Sequence, residues 1–132
     1  MTHPNSENDV KVGFRRVVSA VQYSFKGFRH AVQNEAAIRE ELIALAVLVP
    51  VSALLPISDV EHLILVLSMM LVVLVEFINS AIESTVDRIS TEHHPLSGHA
   101  KDLASAAVLI AVLMSGLCWV VIAGPLVVSW LL

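Results

Sequence analysis

The sequence predicts an all-α membrane protein with three transmembrane helices, preceded by an amphipathic helix. Two observations predict this fold class. The chain of 132 residues is 56% hydrophobic, more than the roughly 45–50% of a soluble domain. Its apolar residues cluster in three long runs, as they do in membrane spans. The net charge of -4 gives no basic excess, so we expect no nucleic-acid partner.

The N-terminal quarter of the chain is predicted to hold a polar tail and a helix on the membrane surface. Residues 1–12 are polar and lack an apolar signal-peptide core, so we interpret them as a disordered tail. Over residues 13–33 apolar side chains recur every three or four positions opposite a basic face, which predicts an amphipathic helix in the headgroup region. An ordinary soluble surface helix is the alternative. Residues 13–132 are expected to form a single domain.

Three spans are expected, at about residues 36–55, 60–89 and 97–130, since about 20 apolar residues cross the hydrocarbon core. Pro50 interrupts the first run and Pro56 ends it. The second run is purely apolar to Val75 and then polar on one face. The third run carries small residues at a spacing of four, which favours close helix packing and permits oligomerisation.

The distribution of cations predicts the orientation. Six of the eight Lys and Arg residues lie at or before Arg39, and the turn after the first span has acids but no cation. Arg88 and Lys101 flank the loop after the second span. The positive-inside rule therefore places the N-terminus and the second loop in the cytoplasm, and the first turn and the C-terminus outside.

The polar half of the second span is the most informative stretch for function. At about 100° per residue, five polar side chains share one helix face: Glu76, Asn79, Ser80, Glu83 and Asp87. Carboxylates within a span are costly, which makes them candidates for a functional site. The alternative is a pair of buried acids satisfied by Arg88 or by neighbouring helices.

Two carboxylates on one face can do two different jobs. One can hold a hard cation such as Mg²⁺, and the other can accept a proton from a hydroxyl group. Glu35, which precedes the first span, and Lys101-Asp102, which open the third, lie at a similar depth, and Lys is a natural phosphate partner. The pattern indicates an ATP-using lipid kinase. The absence of a Walker motif and of a Gly-rich kinase loop excludes the familiar soluble kinase folds.

Residues 76–87 fit the pattern E-x-x-N-[ST]-A-[hydrophobic]-E-x-x-V-D at every specified position. Further matches are Tyr23-Ser24, Lys26-Gly27, Asn34-Glu35-Ala36-Ala37, Leu96-Ser97-Gly98, Ala100-Lys101-Asp102 and Ser105-Ala106-Ala107-Val108. On these residues the chain resembles the prokaryotic integral-membrane diacylglycerol kinase family over about residues 14–119. The resemblance implies a homotrimeric bundle in the inner membrane with active sites shared between protomers. It also implies transfer of the ATP γ-phosphate to the 3-hydroxyl of diacylglycerol, giving phosphatidic acid.

The resemblance also implies roles for individual residues. The catalytic base would be Glu76, and Glu35 and Glu83 would bind Mg²⁺. The expected ATP-binding residues are Arg16, Tyr23, Glu35, Asn79, Glu83, Glu92, His93, His94, Lys101 and Asp102. The expected lipid-substrate residues are Arg16, Ala20, Arg29, Ala37, Glu41, Glu76, Ser105 and Trp119. The chain departs from the family pattern at Ser19, where a Lys is expected, and at Phe25, where a Trp is common.

Two other functions stay open from the sequence. The same fold could phosphorylate another lipid alcohol such as undecaprenol, because a base and a metal ion do not distinguish an acyl tail from a prenyl tail. Alternatively, the chain could be a non-enzymatic membrane assembly or a proton relay in which Glu76 and Glu83 form a buried pair. Consumption of ATP that depends on Mg²⁺ and added lipid would exclude this second alternative.

Overall fold

The computed structural model describes residues 6–89 and 94–132, with side chains from residue 13 onward. These residues form α1 (Ser6–Asn34), α2 (Ala36–Leu54), α3 (Asp59–Ile89) and α4 (Pro95–Leu131). The predicted all-α class is therefore confirmed for the described part of the chain. The chain divides into two units, one ending at Asn34 and the other running from Glu35 to Leu132.

Helix α1 is longer than the sequence predicted. A disordered tail over residues 1–12 stays a prediction, although the helix begins at Ser6 rather than at residue 13. The physical reason for the earlier start is that residues 6–12 contain neither Pro nor Gly, the two residues that most disfavour a helix interior. At the other end, the Asn34 side-chain amide donates to the His30 carbonyl oxygen over 2.8 Å. Many apolar side chains of α1 are exposed, among them Phe14, Val17, Val21, Phe25 and Phe28.

Two helices within the described residues, α3 and α4, are long and apolar enough to cross a membrane by length and composition. They contain 31 and 37 residues. Helix α2 has 19 residues, but charged side chains at positions 39–41 shorten its uncharged part to residues 42–54. That part is below the about 20 residues that a span needs. Two of the three predicted spans therefore agree with the helices, and the crossing by α2 stays a prediction.

Helix α3 is the central helix of the second unit, because it packs against both α2 and α4. The buried apolar side chains of this unit are Ile38 on α2, Leu65, Met69 and Val72 on α3, and Ala104 and Ala111 on α4. Small residues on α4 permit close approach of the helix backbones. The hydroxyl oxygens of Ser68 and Ser115 lie 3.2 Å apart, which joins α3 and α4 by a hydrogen bond.

The turn between α2 and α3 is ordered by a capping box. The Ser58 backbone N–H and hydroxyl both donate to Glu61 Oε2, over 2.8 and 2.7 Å. The Glu61 backbone N–H donates back to the Ser58 hydroxyl oxygen over 3.3 Å. This reciprocal arrangement satisfies amide groups that the first turn of a helix leaves unpaired. It gives α3 a defined beginning.

The orientation predicted from the cations can be tested by cysteine labelling. In a Cys118→Ser background, we expect Asp59→Cys to react with an impermeant maleimide on intact cells. We expect His99→Cys to react only after the membrane is permeabilised, because the positive-inside rule places that end of α4 in the cytoplasm. Labelling of both positions on intact cells would contradict a crossing by α3.

Candidate active site

The packed face of α3 changes from apolar to polar part of the way along the helix. Leu65, Met69 and Val72 are buried, and the same spacing of three and four continues to Glu76 and Asn79. Glu76 retains 7% of its accessible surface and Asn79 retains 8%. The packed face of α3 therefore buries the polar side chains of Glu76 and Asn79, and buried polar groups require hydrogen-bond partners.

Asn79 connects the two glutamates of this face. Its side-chain Nδ2 donates to Glu83 Oε1 over 3.3 Å, one turn further along α3. Its Oδ1 is buried and has no hydrogen-bond partner among the described residues. A buried acceptor of this kind is normally satisfied in a folded protein. This oxygen is thus available to a donor that a bound ligand or water supplies.

Three other carboxylates interact electrostatically with Glu76. Glu83 of α3 and Glu35, the residue before α2, are close enough to Glu76 to interact with it electrostatically. Glu41 of α2 also interacts electrostatically with Glu76. Ionised carboxylates that share a site repel one another, so such a cluster is stabilised by a cation. The structure brings together Glu35, Glu76 and Glu83, and it adds Glu41, which the sequence pattern had not linked to them.

The donor set fits a divalent metal that completes its coordination with substrate. In the described residues no three His, Cys, Asp or Glu side chains form a metal site by themselves. Mg²⁺ is usually held by one or two carboxylates together with phosphate oxygens and waters. Glu35 and Glu83 offer hard oxygen ligands of this kind beside Glu76. A metal that enters with nucleotide phosphates is compatible with this arrangement.

The ends of α3 and α4 that flank residues 90–93 carry a salt bridge. Lys101 Nζ of α4 donates to Asp87 Oδ1 of α3. The next residue, Asp102, is exposed. His94 precedes α4, and its Nδ1 accepts a hydrogen bond from the Leu96 backbone N–H over 3.2 Å, so its side chain caps the helix.

Further predicted site residues of the second unit lie on its surface. Ala37 of α2 and Ser105 of α4 are exposed. The predicted nucleotide contacts Glu92 and His93 lie outside the described residues.

On α1, three of the predicted site residues share one surface recess. Arg16, Ala20 and Tyr23 line it together with Arg15 and Ser19. The Lys26 ammonium lies 5.8 Å from the centre of the Tyr23 ring, a cation–π distance. Arg29, also a predicted site residue, is exposed further along the helix. This recess belongs to the first unit.

An apolar cavity of about 330 Å³ lies among α2, α3 and α4. Its lining is Glu41, Ala44, Leu48, Met69, Val72, Val112, Ser115, Gly116 and Trp119. It extends over about two turns of α2 and of α4, about 10 Å along each helix. Glu41 Oε2 and Trp119 Nε1 are buried and lack a hydrogen-bond partner among the described residues. Because Glu41 also interacts with Glu76, one end of the cavity lies beside the carboxylate cluster.

Comparison with known proteins assigns the family. A model of the prokaryotic diacylglycerol kinase family matches residues 22–123. A diacylglycerol kinase of Escherichia coli is 46% identical over 110 residues, which cover 83% of this chain and 90% of the relative. The corresponding protein of Pseudomonas aeruginosa is 42% identical over 112 residues, 85% of this chain and 91% of the relative. The corresponding protein of Haemophilus influenzae is 39% identical over 107 residues, which cover 81% of this chain and 91% of the relative. The chain therefore belongs to the prokaryotic diacylglycerol kinase family.

Proposed function

We propose that this chain transfers the γ-phosphate of ATP to the 3-hydroxyl of diacylglycerol, giving phosphatidic acid and ADP. The observation that carries the proposal is the polar face of α3, where Glu76 and Asn79 are buried and Asn79 donates to Glu83, with Glu35 within electrostatic range of Glu76. A family whose members are diacylglycerol kinases supports this choice of acceptor over undecaprenol. The carboxylate cluster then has a chemical use, which a purely structural membrane assembly would not require.

The proposal places the protein in the inner membrane, with its N-terminus and active site in the cytoplasm and its C-terminus outside. Helix α2 would also cross the membrane, as the first of three spans, and α1 would lie in the headgroup region with its exposed apolar side chains in the lipid. The protein would act as a homotrimer with shared active sites. The distribution of Lys and Arg supports this orientation. The membrane location is supported by exposed apolar side chains of α4, such as Leu109, Leu113 and Leu117.

Glu76 would act as the general base. As the lipid hydroxyl oxygen attacks the γ-phosphorus, its proton passes to a Glu76 carboxylate oxygen. The bond between the γ-phosphorus and the bridging oxygen breaks, and ADP leaves with that electron pair. Asn79 holds Glu83 through its amide nitrogen, which fixes that carboxylate one turn toward the cytoplasm from Asn79.

Glu35 and Glu83 would hold Mg²⁺. When bound, the ion neutralises phosphate charge, which is a main requirement of phosphoryl transfer. Lys101 would donate to phosphate oxygens. The other proposed nucleotide contacts are Arg16, Tyr23, Asn79, His94 and Asp102, together with Glu92 and His93. The proposed lipid contacts are Arg16, Ala20, Arg29, Ala37, Glu41, Ser105 and Trp119.

The apolar cavity supports a lipid acceptor. It begins beside the carboxylate cluster at Glu41 and continues for about 10 Å along α2 and α4, as far as Leu48 and Trp119. This shape suits an extended hydrocarbon chain. The chain of a membrane lipid already lies in an apolar medium, so the cavity stabilises the complex by packing against that chain rather than by removing it from water. The free Oε2 of Glu41 would accept a hydrogen bond from a hydroxyl group of the glycerol.

The acceptor can be tested with labelled ATP. Purified protein in detergent micelles receives γ-labelled ATP, Mg²⁺ and one lipid alcohol at a time: diacylglycerol, undecaprenol or ceramide. We expect label in phosphatidic acid and background levels in the other two products. Preferential labelling of undecaprenol would overturn the proposed acceptor, and no lipid-dependent transfer at all would overturn the kinase function.

Filling the cavity should weaken lipid use without affecting ATP. We expect Ala44→Leu, whose side chain lines the cavity, to raise the KM for diacylglycerol about tenfold or more, since three added carbons remove room for part of the chain. The KM for ATP should stay unchanged. Ala46→Leu is the matched control, because Ala46 lies on the same helix, is exposed and does not line the cavity. Equal effects of the two variants would exclude the cavity as the lipid site.

A further inference from the structure

The salt bridge between α3 and α4 joins a side chain without an assigned role to one that has a proposed role in catalysis. Asp87 Oδ1 accepts from Lys101 Nζ. Lys101 is the proposed phosphate donor, whereas nothing in the proposed reaction uses Asp87. The two residues are 14 positions apart and lie on either side of residues 90–93, so the pair is not an incidental contact between neighbours on one helix.

Stability alone does not explain this pair. Its side chains retain 38% of the accessible surface for Lys101 and 66% for Asp87. An ion pair as exposed as this is screened by water, and it contributes little to the stability of a fold. The contact between α3 and α4 is already supplied by buried small residues and by the Ser68–Ser115 hydrogen bond.

The position of Asp87 relates it to the polar face of α3. Asp87 follows Glu83 by four residues, so it lies one turn further along the face that carries Glu76, Asn79 and Glu83. Asn79 in turn holds Glu83. By accepting from Lys101, Asp87 fixes the ammonium group one turn from the carboxylate that is proposed to hold the metal.

We propose that Asp87 is a positioning residue that orients Lys101 toward the phosphates of the bound nucleotide. An ammonium group has three donors. One donor bonds Asp87, and the others stay available for phosphate oxygens. A free lysine side chain has many rotamers, and the conformational freedom that it loses when it binds a phosphate opposes catalysis. Asp87 reduces that cost by holding the stem before the nucleotide arrives. The inference rests on the proposed role of Lys101 in binding phosphate.

The test compares Asp87→Asn with Asp87→Glu. The Asn variant keeps the size but loses the charge that holds Lys101, and we expect kcat/KM for ATP to fall by about ten- to a hundredfold, the usual effect of removing a group that orients a reactive side chain. The KM for diacylglycerol and the melting temperature should not change. The Glu variant should recover most of the rate. Asp59→Asn, an exposed Asp in the first turn of the same helix, is the control and should behave as wild type.

A double-mutant cycle separates this inference from the proposed function. If Asp87 acts only through Lys101, adding Asp87→Asn to Lys101→Met should cause no further loss of rate. If the fold-losses in kcat/KM of the two single variants multiply in the double variant, the role of Asp87 is overturned. A normal rate in Asp87→Asn while Lys101→Met is impaired would overturn it as well. A normal kcat/KM for ATP in Lys101→Met would instead overturn the proposed phosphate contact of Lys101.

Discussion

Replacing Glu76 with Gln should lower kcat by at least about a hundredfold, the lower end of the contribution of a general base. Gln keeps the size and polarity of the side chain but cannot accept the proton of the lipid hydroxyl. Because the base acts only in the transition state, the KM for ATP should change little. Steady-state kinetics with diacylglycerol in mixed micelles measures both constants.

The fold of the Glu76→Gln variant must be shown to persist. Glu76 is buried, and three other carboxylates act on it, so a neutral amide relieves charge repulsion and we expect a melting temperature at or above that of wild type. Glu40→Gln, an exposed acid on α2, is the control and should retain full activity. Near-normal turnover in folded Glu76→Gln would mean that another residue is the base or that none is needed.

The second large effect concerns the metal. Glu35→Gln and Glu83→Gln each remove one hard oxygen ligand from beside Glu76. We expect each variant to require at least about tenfold more Mg²⁺ for half-maximal activity, or to be inactive, since losing one ligand charge weakens binding by more than about 1.4 kcal/mol. Titration of activity with Mg²⁺ at saturating ATP measures the change.

Two comparisons make the metal titration specific. The assembly should stay intact in both variants, as judged by size-exclusion chromatography in detergent. Glu40→Gln should show the Mg²⁺ titration of wild type, because its side chain is exposed outside the cluster. A normal titration in Glu35→Gln or in Glu83→Gln would remove that residue from the proposed metal site.

The sequence predicted the polar face of α3 because helical periodicity is a strong local signal. A spacing of three and four residues places Glu76, Asn79 and Glu83 on one side whatever else surrounds the helix. The same periodicity in α2 could have linked Glu41 to the cluster, since it follows the fully buried Ile38 by three residues. That signal is weak in the sequence, because Arg39 and Glu40 directly before Glu41 make this stretch resemble a solvated helix start.

The contacts between helices could not be predicted in the same way. The Asp87–Lys101 and Ser68–Ser115 pairs depend on the rotation of α4 against α3, which a helical repeat does not fix. The start of α1 at Ser6, earlier than the expected residue 13, has a different reason. A polar composition is typical of a disordered tail, but it is also compatible with a helix when Pro and Gly are absent, as they are from residues 6–12.

The most direct test of the account is to locate the metal on the chain. Fe²⁺ replaces Mg²⁺ in the presence of ATP, and ascorbate with hydrogen peroxide then generates radicals that cut the backbone next to the bound ion. We expect fragments that end near residue 35 and near residues 76–83, and we expect these fragments to be lost in Glu83→Gln. Cleavage confined to the turn at residues 55–58, or unchanged cleavage in the variant, would contradict a metal site formed by the carboxylates of α2 and α3.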